Sequence, residues 1–378
     1  MNVLFLLHGV GRHPSGWAND PIAALQKAMP LYPACFKPGK TLADYVKPVE
    51  IRYDDIFDTI LDRWVELANA LPTAGGGFAW TSKVAELLQK AGDNRNTFAR
   101  FGGDVLLYAG FRLVARAARL RVNALIATTI YEETKAAVDA GLKRPRFAVV
   151  AHSLGTTIAQ DALYQLATGR WTSEQQSLDA DVAETATAAG LNEQQKNALS
   201  GSLTSSRPAG NLAVNLHGLF LVSDTSPVLH QSGYYSEHQP TNGVYDCQAI
   251  WTINHEFDPI SHVGGAFTGT WRPDRKDVRV RHFHEKNIHA FAHYLAHPSV
   301  HCEIFRLLVP EFSAACYQAA RTLAAQPMWN GFGGALADWL EEEKSRLKQK
   351  LLDAAQLDKA PPKLREAIEA YFRSIGLL

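Results

Sequence analysis

Apolar and β-branched residues gather in six short runs along the chain, Val3–Leu7, Val49–Tyr53, Phe147–Ala151, Leu216–Val222, Ala249–Ile253 and Val278–Phe283. Most of the segments between them are long enough to hold a helix, and that alternation predicts a mostly parallel sheet with crossover helices. Val3-Leu4-Phe5-Leu6-Leu7 and Phe147-Ala148-Val149-Val150 carry no polar alternation, which is the pattern of strands covered on both faces. These two belong in the middle of the sheet. The stretches 222–249 and 253–278 are rich in Gly, Pro, Ser, Asn and Asp, so loops with little helix are expected there.

Asp104 can cap a helix that runs from Val105 towards Ala140 and stops at Gly141. Arg112, Arg116 and Arg119 fall on one stripe of it, and a solvated helix face is the simplest reading of that stripe. Gly75-Gly76-Gly77 lacks the Gly-Lys-Ser/Thr ending of a phosphate loop and reads as a turn. Residues 171–210 are rich in Ala, Ser, Thr and Gln without a long apolar run, which predicts an insertion of weakly anchored helices that could act as a cap. A second cap segment is expected within 55–140. Strand patterning ceases beyond Leu308, so the chain divides into a main domain, 1–308, and a C-terminal helical extension, 309–378, packed on it.

Composition changes this picture little. Hydrophobic residues make up 46% and charged residues 20%, the balance of a globular chain, and 38 basic residues offset 38 acidic ones. Without net charge there is no global field to hold nucleic acid, which is not expected as a partner. Cys35, Cys247, Cys302 and Cys316 lie far apart with no Cys-x-x-Cys spacing, so reduced thiols in a cytoplasmic protein are the expectation. The apolar opening is broken at His8, too early for a secretory signal, and the arginines of the helix near residue 116 argue against a transmembrane span.

Candidate chemistry begins at Ala151-His152-Ser153-Leu154-Gly155, where a serine follows a buried strand directly and precedes a helix. A serine on so tight a turn needs small neighbours, and the Leu154 amide at the helix N-terminus can face developing negative charge. Upstream, His8-Gly9-Val10-Gly11 follows the first buried strand, and its glycines free the backbone to present N–H groups.

The pentapeptide resembles the nucleophile elbow of the α/β-hydrolase superfamily, Gly-x-Ser-x-Gly, with Ala151 in the first glycine's place. The His-Gly-x-Gly loop is similar to that family's oxyanion loop. The resemblance covers roughly residues 1–308, although the two strands that usually precede the oxyanion strand are absent. It implies an α/β-hydrolase fold with about six strands, Ser153 as nucleophile, and the Val10 and Leu154 amides as the oxyanion hole. His8, Gly9, Gly11, His152 and Gly155 would support the elbow and the loop, His8 as a brace and not as the base.

The family's chain order of nucleophile, acid and histidine implies that the other triad members lie downstream. Asp258, in Asp258-Pro259 just past a strand, is the expected acid, and Asp224 at the end of the preceding strand is its competitor. His289, at a loop-to-helix junction five residues before Tyr294-Leu295, is the expected base, with His293 in reserve. His282 and His284 read as sheet-surface residues. Histidines 289, 293, 297 and 301 have helical spacing, but Pro298 interrupts them and no zinc-enzyme signature accompanies them, so they read as a solvated histidine face. The reaction implied is cleavage of a small-molecule carboxylic ester or lipid-like substrate through an acyl-enzyme, without cofactor or metal. Acyl transfer on the same triad and an inactive binding protein are the alternatives.

Overall fold

A computed structural model describes residues 1–11, 13–57, 108, 112–167, 171–188, 191–203, 216–226, 247–256, 258, 275–282 and 287–330. Six strands, β1 (Asn2–Leu7), β2 (Val46–Ile51), β3 (Phe147–His152), β4 (Gly218–Val222), β5 (Ile250–His255) and β6 (Arg275–Val280), form one parallel sheet in the order β2-β1-β3-β4-β5-β6. Each overlaps one of the apolar runs. β1 and β3 lie inside the sheet, as their uninterrupted hydrophobicity predicts.

Alternate residues of these inner strands feed two separate cores. Val3, Phe5, Leu7, Val149 and Leu221 point into one cluster, and Leu4, Leu6, Val150, Phe220 and Val222 into the other. The first is covered by α2 (Arg112–Asp139), α3 (Leu154–Ala167), α4 (Trp171–Ala188) and α5 (Glu193–Leu203), which contribute Val114, Ile158, Leu178 and Leu199. The second is covered by α1 (Asn19–Ala28), α6 (Phe291–Ala296), α7 (Pro298–Leu308) and α8 (Ala314–Ala324). The result is a three-layer α/β sandwich. Among the described residues no helix is long and apolar enough to cross a membrane.

Several sequence expectations change here. Arg116 and Arg119 do not face solvent: Arg119 is 4% exposed and meets Glu174 at 3.2 Å, while Arg116 meets Glu174 at 3.2 Å and also pairs with Asp181. The stripe is the ionic seam between α2 and α4, which the apolar contacts of Leu178 and Val182 complete. The inserted helices are thus anchored more firmly than their composition predicts. Cys35 and Cys316 are joined in a disulfide across 281 residues, overturning the expectation of four reduced thiols, while Cys247 and Cys302 are buried and not disulfide-bonded. Gly75-Gly76-Gly77, Asp104 and His284 lie outside the described residues, as do residues 331–378 and most of the two expected loops.

Candidate active site

Parallel pairing in register, with Leu7 opposite Ala151, Ala151 opposite Leu221, and Val222 opposite Ile253, brings the carboxyl ends of β1, β3, β4 and β5 to one edge. The chain runs outward from β1 to β2 and then crosses back to β3, so the order reverses between β1 and β3. A crevice at such a switch point is the usual ligand site of an open parallel sheet. His8 and Ser153 leave the sheet there.

Ser153 occupies the left-handed region at φ 53, a conformation that costs a non-glycine residue about 1–3 kcal/mol and persists only when its surroundings hold it. They do. The Ser153 amide donates to the Val222 carbonyl at 2.9 Å, and the Ser153 carbonyl accepts from the Thr156 amide at 2.9 Å, the Thr156 hydroxyl at 2.6 Å and the Thr225 hydroxyl at 3.0 Å. Its Oγ is buried and makes no hydrogen bond.

The glycines around it are required by close approach. A Cβ on Gly9 would lie 2.7 Å from the Ser153 Cβ, and one on Gly155 would lie 2.1 Å from the His8 carbonyl oxygen. The elbow and the β1 loop therefore interlock through two missing side chains. Gly11 has φ 112, open to glycine and rarely to others. A small cleft lined by Gly9, Val10, Gly11, Tyr53, Asp54, Phe57 and Leu154 lies against both residues whose amides were expected to form an oxyanion hole.

His8 is 1% exposed and sits in a brace. Its Nδ1 donates to the Gly9 carbonyl at 2.7 Å, its ring stacks on Tyr53 and His13 at 4.2 and 4.1 Å, and its Nε2 lies 3.4 Å from Asp54. Tyr53 donates its hydroxyl proton to the His8 carbonyl. Burial opposes ionisation of Asp54, but His8, the His13 amide at 2.6 Å and the Arg52 guanidinium at 3.7 Å outweigh it and hold the carboxyl at about 2.

His289 Nδ1 meets Asp258 Oδ2 at 2.6 Å. The carboxylate can only accept, so Nδ1 carries the proton and Nε2 the lone pair. Nε2 is buried without a hydrogen bond, as is the Ser153 Oγ. The His152 ring packs beside His289 at 4.6 Å and stacks on Phe291 at 5.0 Å. Burial, aided by His289, lowers the His152 pKa well below the usual histidine value, so this ring is neutral.

Asp224 stays apart from His289's acid. Its Oδ1 accepts from the Ser226 amide at 3.0 Å and from Gln160 at 3.3 Å, which makes it a turn-capping carboxylate. His293 is 1% exposed and donates Nε2–H to the His282 carbonyl at 2.8 Å. His282 is fully buried past the end of β6 and is not a sheet-surface residue. His297 and His301 are likewise buried: the first caps α7 through the Ser299 amide, the second donates to the Leu295 carbonyl at 3.1 Å. The expected solvated histidine face does not exist: α6 ends before Pro298, which starts α7, and His293, His297 and His301 all lie in the core, while His289 stays on the loop before α6 with its side chain 26% exposed.

Two contributors escaped sequence reasoning. Ser223 donates its hydroxyl proton to Asp258 Oδ2 at 2.9 Å from a second strained backbone, φ 51, and Tyr294 donates to the same oxygen at 2.5 Å. Among the described residues, Asp258 Oδ2 thus receives three donors. Tyr294 was visible as a neighbour of His289 in sequence, whereas nothing local marks Ser223. No family model, curated protein or solved structure matches the chain.

Proposed function

We propose that the chain is a serine hydrolase of the α/β-hydrolase kind, cleaving carboxylic esters with Ser153, His289 and Asp258 as its triad. The observation that carries the reading is one arrangement at one sheet edge: a serine at φ 53 beside a glycine loop, with an imidazole whose Nδ1 is fixed on a carboxylate at 2.6 Å. Neither half is needed for packing. A helix start does not require a left-handed serine, and a buried Asp–His pair is costly unless its charges and hydrogen bonds are used.

In the proposed reaction the Ser153 Oγ attacks the ester carbonyl while His289 Nε2 takes its proton. The Val10 and Leu154 amides receive the developing oxyanion at the cleft beside them. Protonated His289 then returns the proton to the leaving alcohol, with Asp258 stabilising the imidazolium, and water repeats the cycle on the acyl-enzyme.

Labelling by a fluorophosphonate probe tests the reading directly. Wild type should take up one label at Ser153, Ser153→Ala should take up none, and the variant's esterase turnover should fall by at least about a thousandfold at unchanged thermal stability. A folded wild-type protein that remains unlabelled removes the proposal and favours a binding protein on this fold. A panel of p-nitrophenyl esters from acetyl to palmitoyl, run with competing alcohol acceptors, then ranks chain length and separates hydrolysis from acyl transfer.

A further inference from the structure

Behind the acid-bearing turn, three histidines from three separate elements converge: His255 at the end of β5, His282 just past β6, and His293 in α6. All three are buried, at 0%, 0% and 1% exposure, and one ring nitrogen from each lies within 4.8 Å of the others. Their hydrogen bonds fix their tautomers. His255 Nε2 and His293 Nε2 both contact the His282 carbonyl, at 2.9 and 2.8 Å, and His282 Nε2 contacts the His293 carbonyl at 3.0 Å. A carbonyl oxygen only accepts, so each Nε2 bears the proton and each Nδ1 the lone pair.

A ring that donates one N–H to a backbone carbonyl and keeps a lone pair on its other nitrogen is the usual state of a metal-binding histidine.

We propose that His255, His282 and His293 bind one divalent transition-metal ion of the zinc type, at a site distinct from Ser153 that positions the acid and the base. Neutral imidazoles suit such an ion and do not suit calcium or magnesium, which take oxygen ligands. Three nitrogens at Zn–N bonds of about 2.0–2.1 Å stand roughly 3.3 Å apart in a tetrahedron, so closing from 4.8 Å asks for ring rotation of little more than an ångström. That rotation opens the parallel stack of His282 on His293, whose centroids lie 3.9 Å apart. The fourth position is left to water.

The site's neighbours give it a role. The Asp258 amide donates to the His255 carbonyl at 3.2 Å, and His293 precedes Tyr294, which donates to Asp258 Oδ2. An ion on these rings would tie the turn holding Asp258 to the helix that follows His289.

Cobalt(II) titrated into the full-length, chelator-stripped protein tests the proposal. One equivalent should produce the visible absorption of a tetrahedral nitrogen-ligated cobalt centre, zinc should displace it, and the melting temperature should rise with either metal. His282→Gln and His293→Gln should each weaken cobalt binding by more than the roughly 10–100-fold that loss of an outer-shell partner costs. Absence of that spectrum in the wild type overturns the site whether or not the variants fold, and so does a spectrum unchanged in a folded variant. The proposal does not depend on the hydrolase reading: a protein that binds one cobalt but resists the fluorophosphonate probe loses the triad and keeps the metal.

Discussion

Asp258 Oδ2 is where single residues matter most, because three donors converge on one oxygen and fix the carboxylate against His289. A hydrogen bond to a charged group is worth about 1.5–3 kcal/mol, and the carboxylate keeps its other partners when one is removed. On the proposed mechanism, Tyr294→Phe should therefore lower kcat/KM for an ester by roughly tenfold while sparing KM, since positioning of the candidate base is lost and substrate contacts are not. Steady-state kinetics with p-nitrophenyl acetate checks this, and an unchanged kcat would show that Tyr294 only fills space. Residue-scale legibility followed sequence distance. Ser153 and its glycines were readable because strand, turn and helix adjoin in the chain, whereas the bond from Ser223 to Asp258 spans 35 residues and has no local trace.

At the scale of elements, the inner strands β1 and β3 were the most legible feature, because burial on both faces leaves no polar position to confuse the pattern. Helix faces were less so. The arginines of α2 look solvated in sequence, yet their partners Glu174 and Asp181 lie 55 to 65 residues away on α4, a distance no periodicity crosses. Buried polar residues of α3 show the same effect, with Asp161 accepting from Tyr108 at 2.6 Å and Gln160 donating to Asp224. Removing one partner of a buried pair costs roughly 3–5 kcal/mol, but Arg116 also reaches Glu174. Arg119→Ala should accordingly destabilise the protein by about 2–3 kcal/mol in urea unfolding, and pairing Arg119→Met with Glu174→Gln should recover most of it. A loss no larger than that of an exposed arginine would mean that α4 is held by Leu178 and Val182 alone.

For the whole molecule, the Cys35–Cys316 disulfide and the buried histidines fasten the second core, where α1, α7 and α8 meet. Neither was legible in sequence: a pairing across 281 residues has no local pattern, and a histidine at helical spacing looks like a surface residue until the helix break at Pro298 is taken into three dimensions. His301 shows what this core implies for acid stability. It is 0% exposed, accepts from the Tyr32 hydroxyl at 2.7 Å and donates to the Leu295 carbonyl, and burial, aided by the neighbouring His297, lowers its pKa from 6.5 to about 3. A folded-state pKa below the unfolded one means that the unfolded chain binds the proton first as pH falls. Stability is therefore fully present above pH 6.5 and drains away between 6.5 and about 3. At about 1.36 kcal/mol per pH unit, His301 alone should remove roughly 2 kcal/mol between pH 6.5 and 5. Calorimetric melting across that range should show the fall at constant ionic strength, and His301→Gln should flatten it while lowering the plateau near neutrality. Equal acid slopes in the two proteins would place the titrating group elsewhere, with the neutral, buried His152 beside the candidate base as the next ring to substitute.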